Sequence, residues 1–223
     1  MFFGPLYRVT YHVNNVSFDM VRMPPGRFID GEEGNRREIL ISRPFEIGVL
    51  PVTQRLWSAV MGSNPSSLRK EGNPVEMVSR NYADEFLGAL HQFGLEGFQL
   101  PTEAQWAWGA RCGAPTFFSG ADRAESVAVF LRPQADQRAA GLSCNPTGSF
   151  DLSGGVAEWS RDNCLERPAS GLDPENSASG RFATLTGGSW RSQKSLVRTS
   201  ARLCSDVANH RDYYGFRLSR SLI

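Results

Sequence analysis

Between residues 119 and 180 the sequence has no regular hydrophobic period, and this stretch constrains the fold more than any other feature. Gly, Ser, Asn, Asp and Pro dominate it, with only short apolar fragments between them. Long irregular loops inside a compact domain are uncommon unless they are functional. The sequence therefore predicts a chain with little regular secondary structure, in which loops carry function.

Three helices are predicted ahead of this irregular stretch. Apolar residues recur there at three- and four-residue spacing, which places them on one face of a helix. Each segment follows a residue that can cap it, and the third has Gln105 where a capping box requires it. The predicted helices are 54–61 after Thr53, 82–93 after Asn81, and 103–111 after Thr102.

Short apolar runs rich in β-forming residues predict strands on both sides of the irregular stretch. The predicted strands are 18–29, 38–47, 182–190, 197–203 and 215–219. The predicted fold class is therefore α+β. Length alone allows one domain or two small ones, and a single domain 1–223 would be large enough to bury its own core.

Composition excludes several classes of partner and site. The 24 Lys and Arg residues oppose 23 Asp and Glu residues, so no basic surface for nucleic acid is expected. No apolar run is long enough to span a bilayer. The sequence has three histidines and no CxxC, which argues against a zinc site. The spacing leaves the disulfide state open for Cys112, Cys144, Cys164 and Cys204.

Several motifs in a fixed order resemble one protein family. They are 100–111 (LPTEAQWAWGAR), 150–159 (FDLSGGVAEW), 187–190 (GGSW) and 215–217 (GFR), with weaker support from 51–53 and 73–79. Arg198, Arg202 and Arg211 lie between the last two main motifs, as in that family. The chain thus resembles the formylglycine-generating-enzyme (sulfatase-modifying-factor) family from about residue 18 to its end. The resemblance implies a C-type-lectin-like fold whose C-terminal strands carry the functional surface.

The family's known chemistries require residues that this sequence lacks. The copper-binding oxidase of the family uses two cysteines shortly after the GGSW motif, but residues 191–197 contain none. Serine cannot replace thiolate as a ligand for Cu(I). The iron-dependent sulfoxide synthases need three histidines, and His12, His91 and His210 lie in unrelated segments. We therefore expect no catalytic residues and no required cofactor.

The resemblance also implies a structural calcium ion near the second motif. By position, the carboxylates of Asp151 and Glu158 and the carbonyls of Gly154 and Val156 would be its oxygen ligands, a donor set that suits Ca²⁺. A tight turn without metal explains the segment equally well. Framework aromatics and arginines have simpler expected roles. Trp106, Trp108, Trp159 and Trp190 should pack in the core, and arginines should bind loop carbonyls and carboxylates.

Residues 187–217 resemble the variable region of proteins diversified by retroelements, which display randomised side chains on a C-type-lectin fold. Randomisation in such proteins occurs at adenines of AAC or AAT codons, so the third base of the codon remains a pyrimidine. Gln193 and Lys194 cannot arise from such codons, because their own codons end in a purine. Tyr, Ser and Asp suit a binding surface. The candidate ligand-binding positions are Arg191, Ser192, Ser195, Leu196, Ala201, Leu203, Cys204, Ser205, His210, Asp212, Tyr213 and Tyr214.

These resemblances predict a non-catalytic, receptor-like binding protein with a protein or cell-surface ligand. An unvaried binding domain of the same family, or an oxidoreductase with a displaced active site, remain the alternatives. A displayed receptor would be an exported, monomeric surface protein, such as a lipoprotein whose signal and lipid-bearing cysteine are absent from this chain. A cytoplasmic binder fits the sequence as well.

Overall fold

The computed structural model describes residues 6–111, 113–131, 143–177 and 180–222, so Cys112 lies outside the described residues. The described residues form three α-helices and twelve strands. The helices are α1 (Gln54–Met61), α2 (Arg80–Gln92) and α3 (Glu103–Arg111). The strands are β1 (Arg8–Val13), β2 (Val16–Met23), β3 (Gly26–Asp30), β4 (Arg37–Ile41), β5 (Phe45–Gly48), β6 (Phe98–Gln99), β7 (Ala157–Asn163), β8 (Gly171–Leu172), β9 (Phe182–Thr186), β10 (Arg202–Asp206), β11 (Tyr214–Phe216) and β12 (Ser219–Ser221).

The strands form three sheets. A five-stranded antiparallel sheet has the order β1-β2-β5-β12-β6, which joins the N-terminal strands to the last strand of the chain. A four-stranded sheet has the order β10-β9-β7-β11, and β11 runs parallel to β7. A small third sheet contains β3, β4 and β8. Regular structure is sparse after α3, as the irregular stretch predicts, and the α+β class is confirmed.

The helices begin where side chains can satisfy the free N–H groups of the first turn. Thr53 accepts a hydrogen bond from the Leu56 N–H at 3.2 Å, as predicted. The Thr102 and Gln105 side chains each accept from the other's backbone N–H, at 3.0 and 3.1 Å, so the capping box is confirmed. The prediction for α2 is wrong by two residues, because Ser79 rather than Asn81 caps it.

Two predicted strands are each divided by proline. Residues 18–29 form β2 and β3, and 38–47 form β4 and β5, because proline at 24, 25 and 44 lacks the N–H that a continuous strand needs. The polar turn between the two predicted strands therefore joins β3 to β4 as a hairpin, whereas β2 pairs with β5. The strand β1 was not predicted from the sequence; it pairs with β2 across a two-residue turn at Asn14, where φ is 45°.

The predicted C-terminal strands are also shifted. The strand expected at 182–190 ends as β9 at Thr186, before two glycines with positive φ. Residues 194–197 form a short 3₁₀-helix, so the strand predicted at 197–203 begins only at Arg202. The segment 215–219 is divided between β11 and β12, which belong to different sheets.

The largest apolar core lies between α1, α2 and the four-stranded sheet. Trp57 stacks on Phe86 with ring centroids 5.3 Å apart, and Phe86 contacts the edge of Phe216 at 5.4 Å. A second core lies between the five-stranded sheet, the β3–β4 hairpin and α3, and Trp108 is its largest member. Trp106 and Trp159 are also buried, as predicted, whereas Trp190 is only half-buried and its predicted core position is wrong.

Candidate functional site: the C-terminal surface

The candidate ligand-binding residues lie on and around one face of the four-stranded sheet. Two loops border this face: residues 187–201 lead from β9 to β10, and 207–213 lead from β10 to β11. The first loop turns at Gly187 and Gly188, where φ is 80° and 62°. A Cβ at Gly188 would lie 2.3 Å from the Leu196 carbonyl oxygen. The two glycines of the GGSW motif therefore allow the backbone turn that folds the loop back over the sheet.

A small pocket of about 70 Å³ lies in the middle of this face. Ala157 of β7 and Leu185 of β9, both buried, contribute to its lining, as do Gly188, Ser189 and Arg202. The candidate positions that line it are Ser192, Leu196, Ala201, Leu203 and Tyr213. The structure thus brings five of the twelve predicted residues to one concave, largely apolar site.

Two large apolar side chains remain exposed at this pocket. Leu196 is 51% exposed and Leu203 is 45% exposed. Scattered surface leucines are common in monomeric proteins, but two beside one pocket form a local apolar patch. The pocket and these leucines together offer a site for an apolar group of a ligand.

A cluster of aromatic and charged side chains borders the pocket. The Arg191 guanidinium lies 5.4 Å from the ring centroids of both Trp190 and Tyr213, and its Nη1 lies 3.5 Å from Asp212 Oδ1. The Trp190 indole donates a hydrogen bond to the Asp212 carbonyl at 3.2 Å. These contacts hold the two loops together. They also fix the positions of Arg191 and Tyr213 at the surface, which lowers the entropy cost of binding.

Two of the positions predicted to bind ligand are buried, so the prediction is wrong for them. Tyr214 is 5% exposed, contacts the Trp159 ring at 5.4 Å and belongs to the largest core. Burial raises the pKa of its phenol above the usual value, and a hydrogen bond with Ser205 opposes that rise. Ser205 is 6% exposed and also accepts from the Asn209 amide. Both residues support the surface from below.

Cys204 is a further correction. It forms a disulfide with Cys164, with the two Cα atoms 5.7 Å apart. Since side chains alternate along a strand, Cys204 lies on the opposite face of β10 from Leu203 and Ser205. Its role is to link β10 to the segment after β7. Cys144 is exposed and not in a disulfide.

The remaining candidates lie outside the pocket lining. Ser195 is exposed on the short 3₁₀-helix, next to Lys194, which pairs with Glu125 at 2.7 Å. His210 is exposed in the loop before β11. His12 lies on β1 and His91 near the end of α2, so the three histidines belong to separate elements.

The donor set predicted for calcium does not fit a metal ion. The buried Glu158 carboxylate accepts from Arg217 Nε at 3.0 Å and Nη2 at 2.9 Å, and from the Trp106 indole at 2.7 Å. Arg217 is itself fully buried and also donates to the carbonyls of Gly48 and Phe150. Removing this guanidinium would leave Glu158 without its positive partner.

Without Glu158, the other proposed ligands do not make up a calcium site. The part of the chain that the structure describes contains no group of three or more His, Cys, Asp or Glu residues placed to bind a metal. With Glu158 engaged, Asp151 is the one carboxylate left in a set whose other members are the carbonyls of Gly154 and Val156. The prediction of Glu158 as a calcium ligand is therefore wrong.

An ion-pair network anchors β10 from the other face. Arg202 donates to Glu103 of α3 at 2.7 Å, and Glu103 lies 3.6 Å from Arg37. Arg37 in turn binds Asp30, which also pairs with Arg111. Arginines therefore bind carboxylates here, as expected, and Glu103 is an ion-pair partner as well as a first-turn acid of α3.

Asp162 of β7 lies beside this network. Burial raises its pKa to about 6, although the backbone N–H groups of Asn176 and Glu103 donate to it and favour the charged form. Desolvation therefore outweighs two hydrogen bonds at this carboxyl. It links β7, α3 and the segment before β9.

The residues that line the pocket from the sheet were not predicted, although the sequence carries a signal for one of them. The second motif has Ala157 where the family's usual residue is Trp, and the structure places Ala157 in the pocket lining. A small residue here leaves space between the sheet and the two loops. Leu185 gave no such signal, because an apolar residue in a predicted strand is equally consistent with the core.

No helix within the described residues combines the length and apolarity needed to cross a membrane.

Comparison with known proteins supplies the family context. The profile of the sulfatase-modifying factor enzyme 1-like domain matches residues 10–222. Among curated proteins, the chain is 25% identical to a chaperone protein LppX of Paenibacillus barcinonensis over 83% of each chain. It is also 25% identical to the serine/threonine-protein kinase pkn1 of Chlamydia pneumoniae, of which it spans only 38%.

A solved structure has the same fold. Treponema denticola variable protein 1 superposes with a TM-score of 0.86 over 96% of this chain and 99% of that chain, at 24% sequence identity. At this level of identity the likeness establishes the fold.

Proposed function

This chain belongs to the sulfatase-modifying factor enzyme 1-like domain family, and from that premise we propose that it is a non-catalytic binding protein whose C-terminal surface recognises a ligand. The observation that carries the proposal is the convergence of five candidate residues on one pocket, with Arg191 stacked on the ring of one of them, Tyr213. The partner is a protein or a cell-surface ligand, because a small apolar pocket with a border of charged and aromatic side chains suits macromolecular recognition.

The thiol chemistry of the chain supports a binding role over oxidation. The loop at 191–197 offers serines where a copper-binding pair would need two thiolates. Cys204, the cysteine nearest that loop, is committed to its disulfide with Cys164. A direct test incubates the protein with Cu(I), oxygen and a cysteine-containing sulfatase-type peptide. We expect no mass change in the peptide; conversion of its cysteine to formylglycine would overturn the proposal.

We further propose that the surface is diversified by a retroelement. The fold shared with a treponemal variable protein and the codon-compatible candidates support this idea. Exposed positions such as Arg191, Leu196 and Leu203 can change without altering the core beneath them. Sequencing of the flanking DNA should find a near-identical repeat that differs at adenines, beside a reverse transcriptase gene. If neither is present, the surface is that of an unvaried binding domain.

A receptor-like role implies display outside the cell. We propose that the native protein is exported and presented at the bacterial surface as a monomeric single domain. Fractionation of cells that express the full-length native gene, followed by protease treatment of intact cells, tests this location. A product that remains in the cytoplasmic fraction and resists external protease would contradict it.

A further inference from the structure

Among the strands that the structure describes, β10 lies at one edge of the four-stranded sheet and pairs with β9 alone. Each residue of an edge strand directs its backbone N–H and C=O either toward the neighbouring strand or away from the sheet. Groups directed away need water or another chain as their partner. The orientation of each residue in β10 can be assigned from the hydrogen bonds at the end of the ladder.

The hydrogen bond that continues the ladder sets this orientation. The Val207 N–H donates to the Arg181 carbonyl at 3.0 Å, immediately beyond the paired residues Asp206 and Phe182. In an antiparallel pair, hydrogen-bonded and non-hydrogen-bonded positions alternate. Leu203 and Ser205 therefore point their backbone groups toward β9. The backbone groups of Arg202, Cys204 and Asp206 point outward.

One of these outward groups is occupied, because the Asn209 N–H donates to the Asp206 carbonyl at 2.9 Å. The other outward groups, the N–H of Asp206 and both backbone groups of Arg202 and Cys204, form no backbone hydrogen bond with a described residue. The opposite edge of the same sheet differs, because it is covered. The Val52 N–H donates to the Phe216 carbonyl of β11 at 2.9 Å, and the Val75 carbonyl lies so close that a Cβ on Gly215 would approach within 2.7 Å. Within the described structure, the sheet is closed at β11 and open at β10.

Apolar side chains flank the open edge on both faces. Leu203, beside the pocket, is 45% exposed on one face. On the other face lie the disulfide of Cys204 and the segment that follows Cys164, including Leu165, which is 41% exposed. An added strand would present successive side chains to these two faces in turn.

We propose that β10 binds an extended segment of a protein ligand as a fifth strand of this sheet. The inference rests on the proposed binding function and specifies its partner: an unpaired strand with apolar side chains at alternate positions. Backbone hydrogen bonds do not depend on the ligand's side chains, so one edge can serve ligands of different sequence. The candidate side chains near β10 then determine which ligand sequence binds most tightly.

The experiment uses peptides selected from a random 12-residue display library on the immobilised protein. Peptides that lose affinity on the Tyr213→Ala variant are kept, which restricts them to the C-terminal surface. Amide hydrogen exchange of the ¹⁵N-labelled protein is then measured with and without peptide. In the free protein, the amides of Leu203 and Ser205 should exchange slowly, and those of Arg202, Cys204 and Asp206 rapidly.

Peptide binding should slow exchange of the three outward amides at least tenfold. Methylation of the peptide's backbone nitrogens one at a time should weaken binding tenfold or more at alternate residues only. A peptide that needs Tyr213 but leaves the outward amides unprotected overturns the added strand and leaves the binding function intact. Failure to select any peptide that needs Tyr213 counts against both. Outward amides that become protected only as protein concentration rises would show pairing between copies of this chain, which also overturns the proposal.

Discussion

Tyr213 and Tyr214 are adjacent in sequence but occupy opposite environments. Tyr213 lines the pocket and stacks with Arg191, whereas Tyr214 packs against Trp159 in the core. The difference arises because Tyr214 begins β11, whose parallel pairing with β7 turns its ring inward. The sequence supplied two equivalent tyrosines, and only the strand register distinguishes the binding residue from the structural one.

Replacing the two tyrosines separately should reveal this difference. Tyr214→Ala should lower the free energy of unfolding by about 3–5 kcal/mol, as for other buried aromatics. Tyr213→Ala should cost about 1 kcal/mol, because its ring is only partly buried. Chemical denaturation measures both values. Equal losses would mean that both rings belong to the core or both to the surface.

The Glu158–Arg217 pair is the other residue-scale feature with a large expected effect. Both side chains are at most 1% exposed and they bind each other through two hydrogen bonds. Arg217→Met should destabilise the protein by about 3–5 kcal/mol, because it leaves a buried carboxylate without its cation. Lys194→Ala breaks the exposed pair with Glu125 and should cost less than about 0.5 kcal/mol. Similar losses in the two variants would refute the structural role of the buried pair.

At the scale of elements, helices were predictable from the sequence and strand boundaries were not. Helix signals are local: the apolar spacing and the capping residues Thr53 and Thr102 act within one turn. Strands depend on partners far along the chain. The sequence shows that 215–219 has β character but not that β11 and β12 join different sheets, because those partners lie about 60 and 170 residues away.

The loop before β7 gives an element-scale prediction about metal. Because Arg217 neutralises Glu158, calcium should not stabilise the fold through this loop. The melting temperature should be the same within error in excess EDTA and in millimolar calcium, since a ligand shifts stability only if it binds the folded state. Thermal denaturation followed by circular dichroism checks this. A rise of several degrees with calcium would restore the metal site.

Asp162 links α3, β7 and the segment before β9, and its raised pKa gives a pH dependence with a definite sign. Its carboxyl is protonated more readily in the fold, with a pKa of about 6, than in the unfolded chain, where the usual value is 3.8. Its contribution to stability is thus complete below pH 3.8 and is lost as pH rises through about 6. The unfolding free energy of wild type relative to Asp162→Asn should fall between these values and stay flat above pH 7. A constant or rising difference would contradict the assignment.

At the scale of the whole molecule, the fold separates a rigid framework from a changeable surface. Trp106, Glu158 and Arg217 form a buried polar core beneath the sheet, while the disulfide and Arg202 anchor β10 from behind. Most exposed candidate residues lie on the other side of this framework. Side chains there can differ between variants without disturbing the strands that present them.

The sequence predicted where this surface lies better than it predicted which residues belong to it. Codon compatibility and position between GGSW and GFR identified Leu196, Leu203 and Tyr213, which line the pocket. The same criteria admitted Ser205, Tyr214 and Cys204, because residue type does not reveal which face of a strand a side chain occupies. Burial, register and disulfide pairing depend on the tertiary fold and exclude these three.

The central claim, that the C-terminal surface is a ligand-binding site on a stable framework, is tested most directly by the affinity of one ligand for matched tyrosine variants. The ligand is selected from a display library on the wild-type protein alone, with no screen against a Tyr213 variant. Tyr213→Ala should weaken binding by roughly 30-fold, the equivalent of about 2 kcal/mol at an interface hot spot. Tyr7→Ala removes a tyrosine that is 67% exposed and lies against Arg22 of β2 in the five-stranded sheet, and it should leave the dissociation constant unchanged. Isothermal titration calorimetry on both folded variants gives the answer. Equal affinities for the two variants would contradict the account.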